Sequence, residues 1–114
     1  MKDGISQVIV NLEAQKDNPT GYHILNRAVF YVSRLVSSQK ERDFVNQNYN
    51  DIKRVFSIWV CMNMDENSMD YIHLTDDKLI GSYPWKGRLD LLNIVLIGIS
   101  NELPEHDEKY ELHR

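Results

Sequence analysis

The sequence predicts one α/β domain built on a mixed sheet, and three observations carry that expectation. A period-two segment runs from Gln7 to Gln15, an amphipathic helix follows at Tyr22 to Ser38, and two almost continuously apolar runs lie farther on, at Val55 to Met62 and Leu91 to Ile99. At 114 residues, 42% hydrophobic and 26% charged, the chain has material for one core and the balance of an ordinary globular domain, so residues 1–114 are expected to form a single unit.

In the first segment, Val8, Val10, Leu12 and Ala14 alternate with Gln7, Ile9, Asn11, Glu13 and Gln15. Successive side chains of a strand point to opposite faces, which puts Glu13 and Gln15 on one polar face. Asp3-Gly4 is a hairpin-turn signal just ahead of it, so the expected partner is a strand upstream, where only Met1 and Lys2 stand. The first strand is therefore expected to present an unpaired edge through which the chain self-associates.

Asp17 to Gly21 reads as a loop. Beyond it Ile24, Leu25, Ala28, Val29, Val32, Leu35 and Val36 recur at helical spacing, and Arg27, Tyr31 and Arg34, four and then three apart, form a line on the other face. A helical turn is expected around Phe44 to Asn48. Val55 to Met62, rich in β-branched and aromatic residues, suits a central strand covered on both faces. Met69 to Thr75 alternates more and reads as a neighbouring or edge strand. Leu91 to Ile99, with Asn93 inside it, reads as a buried strand, with a buried helix as the alternative. Pro84 to Gly87 is a loop, and the tail from Pro104 to Arg114 is mostly charged.

The formal net charge of -4 argues against phosphate binding by the chain as a whole. The distribution qualifies this: Asp65, Glu66, Asp70, Asp76, Asp77, Glu102, Glu105, Asp107 and Glu108 follow position 64, whereas Lys16, Arg27, Arg34, Lys40, Arg42, Lys53 and Arg54 precede it. A basic face on the first half remains open. Cys61 is the lone cysteine and lies in an apolar run, as a reduced core thiol does; with no signal segment and no apolar run near the roughly 20 residues of a membrane helix, a cytoplasmic protein is expected. His23, His73, His106 and His113 lack metal-ligand spacing. There is no nucleophile elbow and no phosphate-cradling glycine loop.

The run Val8 to Gln15 with its following helix resembles the strand that carries the (D/E)-x-K half of the PD-(D/E)XK motif, here Glu13-Ala14-Gln15. With Gln in the lysine position, the chain is similar to the PD-(D/E)XK nuclease family transposases, relatives of the recombination-promoting nucleases. The likeness also rests on Asn11 to Asp17, Gly21-Tyr22, Asn26-Arg27 through Phe30-Tyr31, Asn48 to Lys53 and Val55 to Asn63, and covers roughly residues 3 to 99.

The resemblance implies a restriction-endonuclease-like core, a mixed central sheet flanked by helices, and Mg²⁺-dependent hydrolysis of DNA phosphodiesters in a mobile-element protein. Glu13 and the Ala14 carbonyl are the implied metal ligands. Gln15 stands where lysine would orient the attacking water, and supplies hydrogen bonds but no positive charge. Arg27, Tyr31 and Arg34 are the implied DNA contacts. The family's first carboxylate, on the strand before the Glu strand, is missing: Asp3 is the only acidic residue upstream of Glu13, and ten residues of strand separate them by about 30 Å. The chain thus resembles an N-terminally truncated member, incomplete or inactive as it stands. The rival expectation is a degenerate nuclease fold serving as a DNA-binding or protein-interaction module.

Overall fold

A computed structural model describes residues 8–17, 21–42 and 48–100. The elements are β1 (Val8–Gln15), α1 (Ile24–Ser37), the short α2 (Gln39–Arg42), a 3₁₀ turn at Tyr49–Asp51, β2 (Arg54–Met64), β3 (Ser68–His73) and β4 (Leu92–Ser100). The four strands make one mixed sheet in the order β1-β2-β4-β3, in which β1, β2 and β4 run parallel and β3 is antiparallel to β4. Leu92–Ser100 is a strand, which removes the helix alternative. The turn expected at Phe44 to Asn48, the Asp3-Gly4 signal and the charged tail fall wholly or mainly outside the described residues.

Parallel neighbours require long crossovers, and the chain supplies two. Residues 16–53, with α1, lead from β1 to β2, and residues 65–91, with β3, lead from β2 to β4. β2 is central because it is hydrogen-bonded to β1 on one side and β4 on the other. Its alternation is regular: Val55, Ser57, Trp59 and Cys61 are buried, while Phe56, Ile58 and Val60 are half-buried.

α1 packs on the first of these faces. Ala28 and Val32 join Val55, Trp59, Cys61 and Ile94 in the core, with Ile24, Tyr31, Leu35, Val36, Ile9, Leu92 and Leu96 around them. The buried stripe of the helix is therefore rotated from the one expected, since Leu25 and Val29 are 43% and 41% exposed and Tyr31 turns inward. The reason is Trp59: its fully buried ring sets the contact, and Tyr31 meets it edge-on at a centroid separation of 6.2 Å.

Among the described residues the sheet is flanked by helix on one face only, and α1 is the single helix that packs on it. The register places Val10, Leu12, Phe56, Ile58, Val60, Val95, Ile97, Met69 and Tyr71 together on the opposite face, and Val10 and Leu12 are 62% and 68% exposed. Among the described residues no helix is long and apolar enough to cross a membrane.

Two polar ties fix the ends of the crossover. The fully buried Gln39 side chain donates to the Lys53 carbonyl at 3.1 Å and accepts from the Lys53 amide at 2.8 Å, so the end of α1 is joined to the start of β2. At the other end, Asn63 adopts a left-handed φ of 58°, open to Asn at small cost, where the β2–β4 register shifts. From there it donates to the Lys16 carbonyl at 2.9 Å and to Asp17 Oδ1 at 3.0 Å.

Candidate functional site

Ile9, Asn11, Glu13 and Gln15 alternate with exposed neighbours and are half-buried, which puts the polar side chains of β1 on the face covered by α1. This reverses the ordinary economy of an edge strand, whose apolar side chains go inward. Asn11 lies beside Ser57, Glu13 beside Trp59 and Gln15 beside Cys61 in the parallel ladder.

The inward polar groups form a directed chain of hydrogen bonds. Trp59 Nε1–H donates to Ser57 Oγ at 2.8 Å, and the Ser57 hydroxyl donates to Asn11 Oδ1 at 2.9 Å. The Asn11 amide then donates at 3.4 Å both to Glu13 Oε2 and to the Tyr31 hydroxyl. The array forks at the Asn11 amide, with one branch ending on the Glu13 carboxylate and the other on the Tyr31 hydroxyl. Its origin is buried: Ser57 and Trp59 are 0% exposed, and each has to be hydrogen-bonded internally.

Arg27 closes the array from the helix side. Its guanidinium carbon lies 5.4 Å from the Trp59 ring centroid and 5.7 Å from that of Tyr22, and Nη1 donates to the Tyr22 hydroxyl at 2.7 Å. An exposed cation is thereby held over the indole from which the chain of hydrogen bonds starts.

Glu13 and Gln15 thus share a face, as the two-residue period requires, and Ala14 points to the other side. Arg27, Tyr31 and Arg34 are not one surface line. Tyr31 is half-buried against Trp59, because the helix is rolled so that its ring fills the core edge, while Arg27 and Arg34 remain exposed. Sequence spacing marks none of Asn11, Ser57, Trp59 and Tyr22 as a site residue; a hydroxyl inside an otherwise apolar strand is the signal for Ser57, but the face it shares with Asn11 depends on the β1–β2 register.

The donor set for Mg²⁺ is short. Among the described residues no three of His, Cys, Asp and Glu come together, and the side chain that touches Glu13 is an amide rather than a second carboxylate. Mg²⁺ releases its waters only where negative charge is concentrated, so Glu13 alone does not fit the ion. The outer edge of β1 pairs with no described strand, since β1 ends the sheet.

Comparison with protein-family models, curated proteins and solved structures finds no match to this chain.

Proposed function

We propose that this chain is a PD-(D/E)XK-type nuclease domain of a transposase-associated protein, in which Glu13 and Gln15 are the Glu-x-Gln half of a site for DNA phosphodiester hydrolysis. The observation that carries the reading is that both side chains lie on one face of a strand whose crossover helix leads to a parallel neighbour. The outer edge of β1, which pairs with no described strand, supports it further, because a strand added there antiparallel could bring a second carboxylate to the Glu13 face. Glu13 would then hold an ion together with that carboxylate, and Gln15 would hydrogen-bond a water without adding charge. Arg27 and Arg34, both exposed on α1, are the groups for phosphate oxygens.

The rival, a non-catalytic module on the same fold, is favoured by one specific contact: the side chain within reach of the Glu13 carboxylate is the Asn11 amide, which donates to Oε2 at 3.4 Å, and not a second carboxylate that would share an ion. Plasmid nicking in Mg²⁺ and in Mn²⁺, by the chain and by Glu13→Ala, separates the two readings. Cleavage lost in Glu13→Ala supports the nuclease reading, and cleavage that survives the change removes Glu13 from the site. No cleavage by either protein, with salt-sensitive DNA binding that weakens in Arg27→Ala and Arg34→Ala, supports the binding module.

A further inference from the structure

Residues 74–91, between β3 and β4, form an exposed arm with a fixed base and an unattached apolar tip. At the base, Arg88 donates to the Ile52 carbonyl, Asn93 Nδ2 donates to the Asp90 carbonyl at 2.8 Å, and Arg54 pairs with Asp90 at 3.4 Å. At the tip, Leu79, Ile80, Tyr83 and Trp85 are 87%, 96%, 68% and 82% exposed. Gly81, at φ 70°, turns the chain there, in a region of backbone space that glycine enters freely. Tyr83 and Trp85 meet edge-on at 4.9 Å, so the two rings form one knob. A connection this long with four large apolar side chains in water marks an interaction element.

The same chain carries a surface of matching chemistry. The sheet face opposite α1 is apolar from Val10 and Leu12 across Ile58 and Val95 to Met69. The one formal charge that the register places there is Arg54, which is engaged with Asp90. A phosphate backbone would meet only Arg54, already paired with Asp90, and the imidazole of His73 on that face. Nor do residues 101–114 suit it, since their large apolar side chains are only Leu103, Tyr110 and Leu112 among many charges.

We propose that two copies of the chain associate about a two-fold axis, each laying its Leu79–Trp85 tip on the sheet face of the other that no described helix covers. Arm and receptor are then used twice, as an isologous contact requires. A pair of aromatics contributes on the order of 300 Å², and with Leu79, Ile80 and the exposed sheet side chains each protomer reaches roughly the 800 Å² of a standard interface. From His73, an extended chain to Ile80 spans about 23 Å, enough to cross to a neighbouring copy. The inference does not depend on the nuclease reading, and its test reads association rather than cleavage.

Sedimentation velocity over a wide concentration range should give a monomer–dimer equilibrium for the chain. Ile80→Ser with Trp85→Ser in the arm, and separately Leu12→Ser on the sheet, should each raise the dissociation constant about tenfold or more, with thermal unfolding monitored to keep folding separate. Mixing Ile80→Cys and Leu12→Cys chains, both in a Cys61→Ala background, should give a disulfide-linked pair on oxidation that neither chain gives alone. A monomer at every concentration overturns the proposal. So does a dimer indifferent to the arm substitutions, which would place the contact at the β1 edge, or a monomer that transfers instead to phosphatidylserine vesicles.

Discussion

The Ser57 hydroxyl donates to Asn11 Oδ1 at 2.9 Å across the β1–β2 pair, and through it the indole of Trp59 is linked to Glu13. Ser57 is fully buried, and its hydroxyl serves the equally buried indole of Trp59 and the half-buried amide of Asn11.

Ser57→Ala is expected to destabilise the fold by about 2 kcal/mol, because Trp59 Nε1–H and Asn11 Oδ1 each lose a partner and a buried orphan costs roughly 1–3 kcal/mol. Adding Asn11→Leu should recover part of that loss by removing the orphaned acceptor. Urea unfolding of the single and double variants measures both; a neutral Ser57→Ala would mean that the array contributes nothing to stability.

Gln39 is fully buried and brackets both backbone groups of Lys53. Gln39→Leu keeps most of the volume but removes both hydrogen bonds from the side chain to the Lys53 backbone, and should cost about 2 kcal/mol. The cost should fall on the α1–β2 junction. Hydrogen exchange would then show the Lys53 amide losing protection before the amides of β4.

Burial pushes the Cys61 thiol above its ordinary value, because a thiolate is poorly solvated among core side chains. The folded state therefore keeps its proton at a pH where the unfolded chain has begun to lose it. The stability contributed is complete below the unfolded value of about 8.5 and is lost as pH rises through the folded value. Denaturation midpoints of the chain and of Cys61→Ala should run parallel below about pH 8 and converge above it. Native-state reaction with a thiol reagent should be slow at neutral pH.

Much of the architecture was legible in the sequence. The two apolar runs became β2 and β4, the helical stripe became α1, and the period of two put Glu13 and Gln15 on a common face. These are local properties: side-chain alternation and helical spacing follow from backbone geometry before any packing occurs. The identity of the inward face was not local. In β1 the apolar Val8, Val10 and Leu12 point away from α1, and Asn11 and Glu13 point toward it, because the parallel register with β2 sets Asn11 beside Ser57 and Glu13 beside Trp59. The roll of α1 had the same origin, since the buried Trp59 ring draws Tyr31 inward and leaves Leu25 and Val29 at the surface. Local periodicity thus determined which residues share a face, whereas the contacts of β2, far away in sequence, decided which face lies inside.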